Sequence, residues 1–239
     1  ELLKVGRFRS TWRVRTDTHC VIAKVYDWSK SKRSAWRMVL PRADPAVREF
    51  NVLRRASARG ISTSTPRRVV RDPRKRMSAL ILDAVDGAQT LLESWGSACC
   101  TERLALSEGV ARTLAEAHEC GLAHRDLHPG NVLISRQGGD LQVALIDLLG
   151  AKLSSKPVAS AVAAWGIADL DQSFHRLASR TERLRFLKTY LQQRPATSTG
   201  IREWVARIQE SRKAHRELLA LRRDRRLRGG NKYFGRIRR

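Results

Sequence analysis

The apolar residues of this chain follow two different periods, and the change from one to the other limits the folds open to it. In the first third the pattern is that of strands. KVGRFRSTWRV and, after a polar turn, THCVIAKVYD read as strands, with apolar and polar residues alternating around Val21 to Val25 as a sheet with one buried face requires. RRVVR and MSALILDAV read as two more. One helix interrupts them. Asp44-Pro45 supplies an N-cap followed by proline at the first helical position, Glu49, Phe50 and Leu53 lie along the helix, and Gly60 is its stop. The basic stretch WSKSKRSAWRMVLPR before it reads as a loop. VDGAQTL is a connector, and beyond it the period becomes helical: about Thr101 to Cys120, closed by Gly121, then Ala161 to Ala178, Thr181 to Gln193 and Gly200 to Leu221. The last carries Trp204, Ile208, Ser211, His215 and Leu218 on one face. Between the helices VLIS and QVALIDL form two short strands split by the turn RQGGD. The order predicts an α+β chain, a single bilobal domain. A small β-rich lobe covers residues 1–86 and a larger helical lobe residues 87–239, with a cleft between them.

Composition narrows the class of partner. The 239 residues, 42% of them apolar, suffice for one sizeable core. The net charge is +24, which calls for acidic partners such as nucleic acid, anionic head groups or phosphorylated ligands. Basic residues recur along the whole chain, so a general arginine bias accounts for the charge equally well. From Arg202 to Arg239 there are 14 Lys and Arg against 4 Asp and Glu. No helix-turn-helix, zinc-finger or ribonucleoprotein signature is present, so a specific nucleic-acid partner is not expected. Cys20, Cys99, Cys100 and Cys120 show no C-x-x-C spacing, which fits a reduced, cytoplasmic protein. No apolar run approaches the ~20 residues that span a bilayer. No signal peptide is visible, although the chain starts with Glu1 rather than Met.

One loop concentrates the chemistry. In GLAHRDLHPGNVLI, Gly121 to Ile134, a carboxylate at Asp126 stands five residues before the amide of Asn131, between a helix and a strand. Phosphoryl transfer asks a protein for positioning, charge neutralisation by magnesium and a carboxylate beside the attacking hydroxyl. Asp126 can supply the carboxylate and Asn131 an oxygen for a hard cation. Asp147, closing the apolar run ALIDL, is the second candidate cation ligand, because a carboxylate placed there is costly unless paired or metal-bound. Lys24, mid-strand among apolar neighbours, and Glu49, on the following helix, are candidates for a buried pair at the nucleotide phosphates.

These residues carry a resemblance. HRDLHPGN resembles the catalytic loop of the protein-kinase-like superfamily, VIAK resembles its strand lysine motif, and the order Lys24, Glu49, Asp126, Asn131, Asp147 is the superfamily order. Within it the chain is most similar to bacterial lipopolysaccharide kinases of the Kdo-kinase and WaaP type. REFNVLRRASARGISTSTP, LILDAVDGAQTL, ALIDLLGAKL and AAWGIADLDQSFHRL carry that similarity over nearly the whole chain.

The resemblance implies a kinase using ATP and Mg2+. Asp126 would take the acceptor hydroxyl's proton, Asn131 and Asp147 would hold magnesium, and Lys24, oriented by Glu49, would contact the phosphates. The turn around Gly6, Ser10 and Thr11 would cover those phosphates, and the connector from Asp83 to Gly87 would hold the adenine edge through its backbone. His124 would be structural. Arg125 would anchor a neighbouring segment. Asp169 resembles a helix carboxylate that props the loop, though an ordinary helix N-terminal Asp fits equally well. His128 stands where protein kinases of the Ser/Thr type carry Lys. It is either a phosphate contact or a loop-packing residue, and the DLHPGN form favours a sugar or lipid hydroxyl as acceptor. The implied reaction is transfer of the γ-phosphate to a sugar of the lipopolysaccharide inner core or a related glycolipid. The protein would be peripheral on the inner membrane, its basic tail on anionic lipid.

Two departures bear on this. The covering turn has one glycine where the superfamily has three, with Arg7, Arg9, Ser10 and Thr11 in place of small residues. Asp147 is followed by Leu148 and Leu149, and no A-P-E segment follows, which argues against a phosphorylated activation loop. The alternatives are a Ser/Thr-type protein kinase or another small-molecule kinase, and a catalytically inactive scaffold.

Overall fold

The computed structural model describes residues 1–6, 8–17, 19–29, 44–194 and 200–228. Of the basic stretch from Trp28 to Arg42, all but Trp28 and Ser29 lies outside these residues, as does the tail after Arg228.

Five antiparallel strands build the N-terminal sheet: β1 (Leu2–Val5), β2 (Arg9–Arg15), β3 (Cys20–Asp27), β4 (Pro66–Asp72) and β5 (Met77–Asp83), in the spatial order β1-β2-β3-β5-β4. The first apolar run is therefore two strands. It breaks at Gly6, whose N–H closes the turn on the Arg9 carbonyl at 2.7 Å. Helix α1 (Pro45–Ser57) packs against this sheet. Its buried face is Ala46, Glu49, Leu53 and Ala56, spaced three or four residues apart as one helical stripe demands, and Glu49 is the one charged member. Asp44 caps the helix from a fully buried position. Its carboxylate accepts from the Ala46 N–H, the Ser78 hydroxyl and the Arg71 guanidinium, so the same group fixes α1 to β4 and β5.

The C-terminal part is mainly helical. It runs through β6 (Gln89–Thr90), α2 (Leu91–Ser97), α3 (Cys100–Glu119), β7 (Leu122–Ala123), β8 (Val132–Gln137), β9 (Asp140–Leu145), β10 (Lys152–Leu153), α4 (Ser160–Phe174), α5 (Arg180–Gln192) and α6 (Ile201–Arg228). α2 is an element the connector reading lacks. Its signal is local: Thr90 and Glu93 form a capping box, each side chain bonding the other's backbone N–H. The β8–β9 hairpin turns on Gly138 and Gly139, both at positive φ, as a tight two-residue turn requires. α3 stops at Gly121, φ 82°. A Cβ there would strike the Ser154 carbonyl and approach that of Lys156 to 2.7 Å, so the close backbone crossing needs glycine.

The helical core centres on Tyr190 and Trp204, both fully buried, with ring centroids 5.6 Å apart. The Tyr190 hydroxyl accepts from Arg194 at 2.7 Å and lies 2.7 Å from His118 Nδ1, while Arg194 also bonds Glu119 and the Val158 carbonyl. Arg194 can only donate, so the hydroxyl proton is left for Nδ1 of a neutral His118. Burial, then the nearby Arg194 charge, pushes the His118 imidazole down to about 3. On α6 the expected apolar stripe is buried at Trp204, Ile208 and His215 but not at Leu218, which is 42% exposed because the helix outruns the body.

Two strips of backbone join the sheet to the helical part. One is the connector after β5. The other follows α1: Arg59 donates to the carbonyls of Cys120 and Ser154, the Ser62 hydroxyl donates to the Val143 carbonyl, and the Leu145 N–H donates to the Ser62 carbonyl.

Candidate active site

Lys24 and Glu49 meet beneath the sheet. Register pairs Lys24 with Thr11 on β2 and Leu80 on β5, so a central strand holds it, and its alternation turns the side chain under the sheet toward α1. Nζ lies 2.5 Å from Glu49 Oε1, with Lys24 6% and Glu49 0% exposed. The other Glu49 oxygen accepts from the Tyr26 hydroxyl at 2.9 Å. Burial and the Glu49 charge hold the Tyr26 phenol protonated, its titration moved well above the ordinary phenol range. Glu49 is thereby satisfied at both oxygens, which is what a fully buried carboxylate needs. Tyr26 has no counterpart in the sequence reading. Its place two residues after Lys24 on one strand face was the available signal.

Asp147 closes the cluster from the other side. Its Oδ1 accepts from Arg9 Nη1 at 2.9 Å and lies 3.6 Å from Lys24 Nζ. Burial pushes the carboxyl up, but the Lys24 charge and the Arg9 contact outweigh it and hold the group below the usual carboxylate range. Asp147 has φ 60° and ψ 55°, a left-handed conformation uncommon outside glycine, and Arg125 has φ 67°. Strained backbone of this kind persists where surrounding structure enforces it.

The enforcement is visible. His124 Nε2 contacts the Ile146 carbonyl at 2.8 Å, the Ile146 N–H donates to the Asn131 carbonyl at 3.0 Å, and the Asn131 amide donates to the Asp126 carbonyl at 2.9 Å. The segments holding Asp126, Asn131 and Asp147 are thus tied together directly. Burial pushes the His124 imidazole down and keeps it neutral, in line with a structural role. His128 Nδ1 accepts from the Gly130 N–H at 3.1 Å and caps the short turn Pro129–Asn131, the packing alternative for this residue. Arg125 and Asp126 are exposed, Asn131 is buried. Asp169 on α4 lies in hydrogen-bond contact with the Leu127 backbone, and burial, then the Asp126 charge, raises its carboxyl. It faces the loop and does not serve as a helix N-terminal group.

Not every expected residue converges. β-Alternation places Ser10 with Trp12 on the outer face of the sheet, where the Ser10 hydroxyl accepts from the Trp12 indole at 2.9 Å, so its side chain is turned from the cluster. Thr11 shares the face of Lys24 but sits in β2, past the turn. The Gly6 N–H is spent within the turn. The Asp83 N–H donates to the Thr65 carbonyl, its carboxylate meets Arg67, and the Ala84 N–H donates to Cys20. The connector that follows turns back on itself, the Ala88 N–H donating to the Val85 carbonyl, with Gly87 at φ 65°.

Among the described residues no cluster of three or more His, Cys, Asp or Glu could hold a metal alone. The oxygens of Asp147 and the buried Asn131 nevertheless suit magnesium, which is held in kinases by one or two protein oxygens plus phosphates and water. The Asn131 nitrogen is committed to Asp126, which leaves its Oδ1 as the free donor atom.

A β-sheet with a buried Lys–Glu pair, facing a loop with an exposed Asp and a buried Asn and a second segment that carries Asp147, is the arrangement of a protein-kinase-like fold. The family model described as "Lipopolysaccharide kinase (Kdo/WaaP) family" matches residues 5–206, and the chain belongs to that family and is a kinase. Its fold is similar to a solved structure of WaaP in complex with acyl carrier protein: TM-score 0.61, 20% identity, over 91% of this chain and 88% of the other. It is also similar to the Rio2 kinase–ADP/Mg2+–phosphoaspartate complex from Chaetomium thermophilum, with TM-score 0.56 and 13% identity over 91% and 70%. The serine/threonine-protein kinase PkaA of Streptomyces coelicolor is 35% identical over 81 residues. That match spans 33% of this chain and 15% of PkaA.

Proposed function

We propose that this chain transfers the γ-phosphate of ATP to a hydroxyl of a lipopolysaccharide inner-core sugar or a related glycolipid. The observation that carries the reading is the convergence of Lys24, Glu49 and Asp147 opposite the loop that ties Asp126 to Asn131. Lys24, oriented by Glu49, binds the nucleotide phosphates. Asp126, exposed at the loop, accepts the proton of the acceptor hydroxyl as its oxygen bonds to phosphorus and ADP leaves. Asn131 and Asp147 would hold magnesium, which would neutralise charge on the phosphates. His124 and Asp169 hold the loop by its backbone.

Membership of the lipopolysaccharide kinase family and the DLHPGN loop support a sugar acceptor over a protein one. The α6 end supports membrane-surface binding: Leu218, Leu219 and Leu221 are exposed beside Arg216, Arg222 and Arg223, and each basic residue near an anionic surface contributes ~1 kcal/mol. Among the described residues no helix is long and apolar enough to cross a membrane. A cavity of about 550 Å3 between α2, α3, α4, α5 and α6, lined by Trp95, Leu106, Ile167, Phe174 and Ile208, suits an alkyl chain. With the WaaP neighbour solved alongside an acyl carrier protein, an acyl-bearing carrier is the partner proposed for this part. Mass spectrometry of the purified protein should recover bound acyl groups, and their absence after loading with acyl carrier would remove this partner.

The test of the activity is transfer of labelled γ-phosphate from ATP–magnesium to fractionated envelope and cell extract, beside Asp126→Ala. Label in glycolipid, absent with the variant, supports the proposal. Label in protein moves the acceptor to a protein, and ATP binding with no transfer to any fraction points to a scaffold.

A further inference from the structure

The β1–β2 turn poses a problem for a kinase. It has a single glycine, and the N–H of Gly6 is already bonded within the turn, so that N–H is not offered to phosphates. Yet the first residue of β2, Arg9, reaches across 138 positions of sequence to Asp147. The hairpin's own backbone does not require this contact. Arg9 is fixed by its own pairing with Tyr26 on β3, and its carbonyl closes the turn on Gly6. Its side chain is 26% exposed, so it reaches the mouth of the cluster while also contacting the Tyr26 hydroxyl.

The carboxylate oxygen that receives Arg9 also faces Lys24 at 3.6 Å, and Asp147 is the residue assigned to the divalent cation. A guanidinium and a divalent cation cannot both sit on that oxygen, because like charges at contact distance repel strongly in a half-buried site. An incoming triphosphate reverses the balance, since it supplies several anionic oxygens, two of which at a time match the planar fork of a guanidinium.

We propose that Arg9 is a nucleotide-phosphate ligand that rests on Asp147 in the free protein. It cedes that carboxylate to the cation when nucleotide enters, and its side chain takes up the phosphate contact that the Gly6 N–H does not offer. This rests on the kinase reading of the site.

The experiment measures two affinities in Arg9→Ala and Arg9→Lys: a fluorescent ATP analogue with magnesium, and Mn2+ alone followed by electron paramagnetic resonance, with Asp147→Asn marking which Mn2+ site is read. Removing Arg9 should weaken nucleotide roughly ten- to a hundredfold, the range of one charge-assisted hydrogen bond. It should tighten Mn2+ alone severalfold, because its competitor is gone. Arg9→Lys, which keeps the charge without the planar fork, should fall between. These opposite signs are what a merely structural role would not produce, and unchanged melting and circular dichroism confirm the fold. If wild type binds nucleotide and Arg9→Ala moves neither affinity, or weakens both, the role of Arg9 is overturned alone. If wild type binds no nucleotide, the kinase reading fails and takes this role with it.

Discussion

The two walls of the site are built by different means. On the sheet wall, Lys24 and Glu49 are buried on regular elements, and every polar atom at their contact is matched by Lys24 or Tyr26. On the loop wall, Asp126 is exposed, Asp147 and Arg125 sit at positive φ, and the geometry is carried by bonds from the Asn131 amide, the His124 imidazole and the Ile146 N–H to main-chain carbonyls. The first wall joins function to the core, so altering it threatens the fold. The second hangs its frame on side chains such as Asn131 and His124, while the carboxylates of Asp126 and Asp147 take no part in it, so those two can be changed with the frame intact.

Asp126→Ala should produce the largest change. Phosphate transfer should fall by roughly a hundred- to ten-thousandfold, with nucleotide affinity and unfolding midpoint nearly unchanged, as removal of a positioned base predicts. A comparable loss of nucleotide binding would mean that the loop wall is not separable from the rest. Glu49→Ala should behave in the opposite way. It takes away the close partner of the buried Lys24 ammonium and of the Tyr26 hydroxyl, leaving Asp147 at 3.6 Å, which costs up to about 3–5 kcal/mol, and denaturant titration should show it. Asp147→Asn, with a side chain that tolerates the left-handed backbone, should lose magnesium-dependent nucleotide binding with a much smaller stability change. Equal destabilisation in the two variants would erase the contrast.

A third measurement asks where stability lies outside both walls. His118 is neutral in the fold and titrates near its ordinary value when unfolded, so the unfolded chain binds the extra proton. Stability is full above about pH 6.5 and declines toward the folded value of about 3. The decline is at most ~1.4 kcal/mol per pH unit from this group. Denaturation at pH 7.5 and 5.5 should reveal it, and His118→Leu should flatten the slope. A slope unaltered in that variant would place the acid sensitivity elsewhere. The smallest effect is that of Thr90→Ala, which removes one half of the α2 capping box and should cost about 1 kcal/mol with transfer activity unchanged. Loss of activity would tie α2 to the site more closely than its position suggests.

Much of this was legible in the sequence because it is written locally. Asp44-Pro45 announces the start of α1, Gly121 the end of α3, and HRDLHPGN both the loop and its neighbours. Glu49 could be singled out because it is the charged member of an apolar helical stripe. The signal for α2 is equally local, in its capping box, but it adjoins the turn residues around Gly87, which favour a connector. Other features are not local. The Arg9–Asp147 contact spans 138 positions, the outward turn of Ser10 depends on where the first apolar run divides, and the exposure of Leu218 depends on where the body of the protein ends. Period and propensity carry none of these, because they are set by which elements meet.

The junction at Arg59 and Ser62 has a mechanical consequence. It clamps the base of α1 to the ends of α3 and β9, close to the connector that crosses on the same chain, so the sheet is pinned along its near side. The β1–β2 hairpin lies at the far edge, beyond β3, with the Arg9 contact at its tip. A small rocking of the sheet about that fulcrum becomes a long swing at the hairpin, so the part of the sheet that must admit and release nucleotide travels furthest while Lys24 and Glu49, near the pivot, keep their separation. Amide hydrogen exchange should accordingly be fastest along β1 and slowest at Leu145 and Ile61.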